Sequence, residues 1–371
     1  PSETIRAAQT MGLATLRDPW TEGIVGTGLL LRRLDGVKRV LMIGAHPDDE
    51  DTALLAALSR GYGVETAYLS LTRGEGGQNL IGPELDEGLG LVRTGELLSA
   101  RGLDGGRQYF TRAFDFGYSK TAEETFGFWP REEILEDVTW VVRSFRPQII
   151  VSVFSGTPRD GHGHHQVAGI VAHEVFDVAG DPTRYPDQLA AGVPAWTPSK
   201  LYLLTRRNPQ DATVRVETGN FDPLLGRSHY QVAMESRSQH RSQDMGMARP
   251  LGPRTSPLSL EASRVQEPPG ETGVFAGVDT TLLGLTDGLS GVDAATVRSS
   301  LENYREAISR ARGSLDALEP WTVAPHLERA LKALDEGLTS ATAQRMEARD
   351  QATKELVRVL DARRSRVVEA L

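Results

Sequence analysis

Lys38–Glu50 reads KRVLMIGAHPDDE. The first half is a short, mostly apolar run ended by Gly44, and it reads as a buried strand. The second half places an imidazole and three carboxylates just beyond that strand. Leu54, Leu55 and Leu58 then put one apolar face on a helix from Glu50 to Arg60, with Gly61 as its C-cap. The alternation repeats along the chain. Val64–Leu71, Gln148–Phe154 and Lys200–Thr205 read as strands. Leu89–Arg101, closed by Gly102, Glu132–Phe145, stopped at Arg146-Pro147, and His165–Val178 read as helices. Strands alternating with helices imply an α/β chain, a mostly parallel sheet with helices on both faces. In such sheets the functional loops lie at the carboxyl ends of the strands, here after Gly44, Leu71 and Phe154.

Composition agrees with a folded, globular chain. It has 371 residues, enough for roughly two to three domains. Apolar residues make up 39% and charged residues 25%, which excludes a disordered chain. With 41 basic against 50 acidic residues the formal charge is -9, and nothing suggests a nucleic-acid binder. There is no cysteine, so thiolate metal sites, thiol nucleophiles and disulfides are excluded. No apolar run approaches the ~20 residues of a membrane helix. No signal peptide is visible, and the chain starts at Pro1 rather than methionine. The expectation is a processed, extracytoplasmic chain. From Met247 to Gly273, Pro250, Pro253, Pro257, Pro268 and Pro269 mark an irregular loop or linker. Beyond Asp293 the chain turns helical, with Leu301, Tyr304, Ile308, Leu315 and Leu318, then Leu327, Leu331, Leu334 and Leu338 at helical spacing. Three helices there, over 287–371, suit a small bundle, a scaffold or an oligomerisation element.

The chemistry is concentrated in two clusters. In Ala45–Glu50, acidic side chains suit a helix N-terminus, but an imidazolium there opposes the helix dipole. A metal ion explains His46 better: His46 and Asp49, three residues apart across a turn, can face one cation, leaving Asp48 as a free carboxylate beside it. The second cluster, Asp160-Gly161-His162-Gly163-His164-His165, follows the strand that ends at Phe154, at the same sheet edge. Imidazole and carboxylate together suit Zn²⁺, and an incomplete ligand set completed by water describes a catalytic site.

AHPDDE after the first strand, with a later His-x-x-His before a helix, resembles the PIG-L/LmbE-like zinc de-N-acetylase family. The resemblance spans about residues 35–245 and reaches towards 286, so 1–286 is expected to be one domain. It implies a Rossmann-like fold and a hydrolase that removes acetyl from N-acetylglucosamine-type amides or cleaves related conjugates. It implies His46, Asp49 and His165 as zinc ligands and Asp48 as general base. It implies His162 as the residue that stabilises the oxyanion or protonates the leaving amine. One departure stands out: where the family commonly has His-Pro-Asp-His, this chain has His162-Gly163-His164-His165. His164 replaces the aspartate that orients the first histidine, Asp160 is the candidate for that orienting role, and His164 competes with His165 as third ligand.

A third loop, Thr72–Asn79, offers Arg73, Gln78 and Asn79 as donors to a substrate. It lacks the Gly-Lys-Ser/Thr of a phosphate-binding loop, and the first strand lacks the G-x-G-x-x-G turn of dinucleotide binders. Arg93 and Glu96 are a substrate clamp or a helix-surface pair. Arg227–Gln243 reads as a polar helix, with His240, Ser242 and Gln243 near the site or on the domain surface. Phe114, Phe116, Tyr118, Phe126, Phe128 and Trp129 form a sugar platform or a loop core. The expected substrate is an amino sugar or glycoconjugate. The alternatives are a non-sugar amide, or a non-catalytic metal- or carbohydrate-binding module.

Overall fold

The computed structural model describes residues 22–371 apart from 207, 247, 270–272, 288, 290–292 and 344–349. Pro1, Met247 and residues 270–272 of the proline-rich stretch therefore lie outside the described residues. The chain forms two compact units: Arg39–Val278, and residues 22–38 together with Asp279–Leu371.

The chain opens with α1 (Gly23–Leu34), β1 (Arg39–Gly44) and α2 (Thr52–Ala56), which runs on as a wide π turn to Gly61. Then come β2 (Glu65–Ser70), α3 (Asp86–Asp104), β3 (Arg107–Phe110), α4 (Ala122–Phe126) and α5 (Arg131–Phe145). β4 (Ile149–Ser152), α6 (Gly163–Val178), α7 (Pro186–Ala190) and β5 (Lys200–Leu204) complete the alternation. β6 (Val214–Glu217), β7 (Phe221–Asp222), β8 (Arg227–Ser228), α8 (His229–Arg237) and β9 (Thr255–Ser263) follow. Three long helices end the chain: α9 (Ala294–Ser314), α10 (Ala324–Ala341) and α11 (Gln351–Ala370).

The main sheet has strand order β3-β2-β1-β4-β5-β9-β6. Its first five strands are parallel, and β9 pairs antiparallel with both β5 and β6. β1 lies in the middle, with Ile43 level with Leu69 of β2 and Ser152 of β4. Both faces of β1 are covered, so all six of its residues are buried, as its apolar run implies. Leu41 and Ile43 join Val138, Val142, Val171 and Val175 of α5 and α6 on one face. Val40 and Met42 join Leu54, Leu58 and Leu97 of α2, its π turn and α3 on the other. This is the Rossmann-like architecture the sequence implied.

Three local readings are corrected. The proline-rich stretch is not wholly irregular, because β9 runs through it and Pro257 lies inside the ladder. Proline is tolerated there because its carbonyl still accepts from the Thr205 N–H. Gly102 does not close α3. Gly105 does, with φ +83°, a left-handed conformation that suits glycine. The polar helix expected over 227–243 ends at Arg237, and a separate tight turn covers Arg241–Gln243.

The second unit is helical. α1 and α9–α11 share a core of Leu31, Leu34, Leu301, Tyr304, Leu327, Leu334, Leu356 and Leu360. The Tyr304 hydroxyl donates to the Leu34 carbonyl at 3.0 Å, so the buried phenol is satisfied. Leu318, expected on the apolar face, lies beyond the end of α9 and is exposed.

Candidate metal centre

The chain runs from β1 outward to β2 and β3, then returns to β4 on the other side of β1. The gap between β1 and β4 is thus the switch point of the sheet, where loops diverge and leave a crevice. The loop after β1 brings His46, Asp48 and Asp49 to that crevice. The loop after β4 and the start of α6 bring His162, His164 and His165.

Two groups of three potential ligands arise, both containing His46: His46, Asp49 and His165, and His46, His162 and His164. Within each, the ligand atoms lie within 4.8 Å of one another. His164 and His165 fall in different groups, and both groups draw on His46. Asp49 is fixed by the Ala45 and His46 N–H groups, at 3.0 and 2.7 Å, onto the same Oδ2. Its Oδ1 lies 3.7 Å from Nε2 of His165. The other ring nitrogen of His165 faces the Asp160 carbonyl at 3.4 Å, the backing that ligating histidines usually have. Two nitrogens and one carboxylate oxygen, converging and backed in this way, fit a divalent cation.

Charges inside the cluster agree with that fit. Burial pushes the Asp49 carboxyl up, but its bond to His46 and the charges of His46 and His165 outweigh this and hold it at about 2. Burial lowers His162 to about 4, with His46 adding to the effect, and His164 to about 2. Burial also lowers His165. His46 goes the other way: burial opposes its charge, but Asp49 and Asp115 overcome that and raise it. At neutral pH the set holds an ionised carboxylate among mostly uncharged imidazoles, the state that receives a cation without displacing many protons.

Asp48 occupies a different position. It stands at φ +96°, outside the usual range for a non-glycine residue. Its Oδ1 accepts from Arg93 at 3.0 Å, and its N–H donates to Glu50 at 2.9 Å. Burial and the neighbouring Asp49 push its carboxyl up to about 6, while Arg93 opposes them. Glu50 is fully buried and accepts from Arg101 at 3.0 Å and His240 at 2.8 Å.

The remaining sequence candidates divide. Arg93 is neither a surface residue nor a free clamp. It is buried and spans Asp48, the Pro47 carbonyl and the Gly74 carbonyl. Glu96 is buried too, and accepts from the Ser242 N–H and hydroxyl, both at 2.7 Å. Arg73 lies over Phe110 and donates to Thr94. Asn79 closes its own loop on Ile81, Gly82 and Glu84. Gln78 is exposed, and its carbonyl accepts from Gln243. The carboxylate of Asp160 does not reach His162. It gathers the N–H groups of Ser155, Gly156 and Thr157, and its backbone carbonyl faces His165 instead. His162 is held by Ser119 and the start of α6: Nδ1 lies 3.1 Å from the Ser119 carbonyl and 3.4 Å from the N–H groups of Ser119 and His164, which leaves Nε2 free of these contacts. His164 is fully buried, with Nδ1 3.0 Å from Nε2 of His46.

Asp115 escaped the sequence reading. It is buried, 3.8 Å from His46 and 3.7 Å from His164, in the loop after β3. The only sequence signal was its place among the aromatic residues. Phe116 and Trp129 of that group pack on the His164 ring at 4.5 and 4.2 Å between centroids, and Tyr118 stacks on His162 at 5.1 Å.

Residues 41–176 match the PIG-L family, described as GlcNAc-PI de-N-acetylase. The 1D-myo-inositol 2-acetamido-2-deoxy-alpha-D-glucopyranoside deacetylase of Geodermatophilus obscurus is 33% identical over 187 residues, 44% of this chain and 60% of its own. Its namesake in Kineococcus radiotolerans is 32% identical over 219 residues, 51% of this chain and 58% of its own. The chain thus spans about three-fifths of the length of the curated relatives it matches. Among solved structures, N,N'-diacetylchitobiose deacetylase from Pyrococcus horikoshii aligns at 21% identity and a TM-score of 0.43, over 56% of this chain and 70% of that one. With the AHPDDE loop and the second histidine cluster in place around one crevice, residues 41–176 of this chain are similar to the PIG-L deacetylase family.

Proposed function

We propose that the chain is a zinc-dependent hydrolase that removes the acetyl group from an N-acetylated amino sugar or its glycoconjugate. One observation carries this reading: an anchored, unliganded carboxylate, Asp48, stands beside the His46–Asp49–His165 group. The relatives' substrate, a 2-acetamido-2-deoxy-glucopyranoside of inositol, supports the choice of substrate class.

His46, Asp49 and His165 would hold the ion. A zinc ion bound there supplies a Lewis acid for the amide carbonyl and lowers the pKa of a coordinated water towards ~7. Asp48 receives the proton of the attacking water on its carboxylate, with Arg93 fixing Oδ1. His162 presents Nε2, because Ser119 holds Nδ1. Protonated, it stabilises the developing oxyanion and hands its proton to the departing amine. The half-buried His162 ring resists that charge at rest, and the oxyanion is what favours it.

The test is acetate release from N-acetylglucosamine and its α-glycosides by zinc-loaded protein, with Asp48→Ala beside it. Asp48→Ala should keep about one zinc per chain and lose about 10²- to 10⁴-fold in turnover. Near-native turnover in that variant would refute the role given to Asp48. No acetate from any of these sugars would refute the substrate class.

A further inference from the structure

The hydrolase reading uses one of the two ligand groups and leaves the other without a role. His46, His162 and His164 bring three ring nitrogens within 4.8 Å of one another. His46 belongs to both groups, but it offers each a different nitrogen. Its Nδ1 lies 3.4 Å from Oδ2 of Asp49, whereas its Nε2 lies 3.0 Å from Nδ1 of His164. Asp115 adds a carboxylate on the Nε2 side, with Oδ2 3.8 Å from His46 Nε2 and Oδ1 3.7 Å from His164 Nδ1. Donors on a tetrahedral cation with bonds of about 2.0–2.1 Å stand about 3.3 Å apart, and these separations bracket that value.

His164 is the residue that creates this second group. It is fully buried, and Nε2 of its ring has no hydrogen-bond partner. The polar contacts of the ring are therefore made by Nδ1, which faces His46 and Asp115. Phe116 and Trp129 pack on the ring and hold it in that direction. His162 stacks on His164 with 4.3 Å between centroids. Its Nδ1 is occupied by Ser119 and the His164 N–H, so Nε2 is the nitrogen left to give. Three imidazoles and a carboxylate are a donor set for zinc or a neighbouring divalent ion.

We propose that His46, His162 and His164, with Asp115, form a second divalent-cation site, weaker than the first, whose occupation inhibits the enzyme. The binding half rests on the cluster alone. The inhibition half rests on the hydrolase reading, because a cation on Nε2 of His162 removes the proton donor. The second site is the weaker for two reasons. An ion on Nδ1 of His46 leaves the ring proton on Nε2, and a second ion must displace that proton to solvent. Two cations on one ring also repel each other. The first site therefore fills at low zinc and the second only as zinc rises.

The experiment titrates zinc into the full chain already holding one zinc, by calorimetry, and follows acetate release from N-acetylglucosamine and its α-glycosides at each zinc level. His164→Ala and His162→Asn are measured beside the wild type. His162 is half-buried and caps α6, and asparagine there still accepts the His164 N–H, so this variant keeps the test valid should the other fail to fold. All three proteins should keep the first zinc. Wild type should bind a second zinc at least about tenfold tighter than either variant. Acetate release by wild type should fall at least about tenfold as the second zinc binds. In His164→Ala, measured against its own rate with one zinc, that fall should vanish. No second zinc in wild type overturns the proposal. So does a second zinc bound equally well by both variants, which would place it on the outer surface. A second zinc that binds in wild type and leaves acetate release intact overturns the inhibition. A second zinc lost in the variants, without acetate from any sugar, refutes the hydrolase and leaves the cation site standing.

Discussion

Replacing Glu50 by alanine tests whether the site loop is built on a buried ionic frame. Glu50 and Arg101 are both fully inaccessible. Arg101 bonds Glu50 at 3.0 Å and Asp104 at 2.7 Å, His240 bonds Glu50 at 2.8 Å, and Ser236 bonds Asp104 at 2.8 Å. The other Glu50 oxygen accepts the Asp48 N–H. Removing one partner of a buried ion pair costs about 3–5 kcal/mol, because the remaining charges keep their desolvation penalty. Arg101 retains Asp104, which places the expected loss for Glu50→Ala towards the lower half of that range, about 3–4 kcal/mol. For a unit of this size that lowers the melting temperature by about 6–16 °C. The sign with pH is also fixed. Burial raises the Glu50 carboxyl, but His240 and Arg101 outweigh it and hold it below the ordinary glutamate range. A depressed carboxylate contributes its full stability above about pH 4.3 and loses it progressively as pH falls towards its folded-state value. Urea titrations of wild type and Glu50→Ala at pH 7 and pH 4 give both numbers. A loss below about 1 kcal/mol at pH 7, or a gap that widens in acid, would refute the frame.

Four further outcomes follow from the same geometry. Arg93→Lys should leave zinc content unchanged and lower kcat about tenfold or more with little change in KM, since a shifted Asp48 misplaces the proton acceptor; an unchanged kcat removes Arg93 from that role. Gly44→Ala builds a Cβ 2.4 Å from the Tyr68 hydroxyl and 3.2 Å from the Asp49 Cβ, and should cost about 1–3 kcal/mol in denaturant titrations. Tyr68→Phe in that background should recover part of the loss, and strict additivity of the two changes would show that the clash is not the cause. His165→Ala should abolish zinc retention, read by elemental mass spectrometry, whereas His164→Ala should keep it; the reverse pattern would move the centre to the His46–His162–His164 group.

The sheet was legible because its centre is simple. β1 is covered on both faces, so its run from Val40 to Ile43 had to be apolar, and the acidic cluster begins just beyond its end. The same logic placed the second cluster, since a parallel strand as apolar as β4 must also end at that edge. What could not be read were features set by partners distant in sequence. β9 escaped because its ladder is made with β5 and β6, and prolines mask a strand whenever the carbonyl alone does the pairing. Arg93 read as either a substrate clamp or half of a helix-surface pair, because helical spacing says which face it occupies, not that the loops after β1 and β2 fold over that face. Asp160 was offered as the orienting acid because His164 stands where the family has its aspartate, yet the N–H groups of Ser155, Gly156 and Thr157 take its carboxylate. Asp115 sits in a loop with no periodicity at all, and only the packing of Phe116 and Trp129 on His164 brings it to the histidines.

The bracing of Asp48 shows how the family's motif is made to work in this chain. A non-glycine residue at φ +96° costs on the order of 1–3 kcal/mol and persists only where its surroundings over-determine it. Three separate elements do that here. The N–H goes to Glu50 of its own loop, Oδ1 goes to Arg93 of α3, and the carbonyl accepts from Arg237 of α8. Glu50 and Arg93 are themselves buried, so neither hold is freely exchanged with water. The left-handed turn directs Asp49 back onto the Ala45 and His46 N–H groups while Asp48 faces the opposite way. Two adjacent carboxylates are thereby given different environments, one held at about 2 among the histidines and one pushed up to about 6 beside them. Neighbouring acids set apart in this way can divide ligation from proton transfer, which a relaxed backbone at position 48 would not enforce.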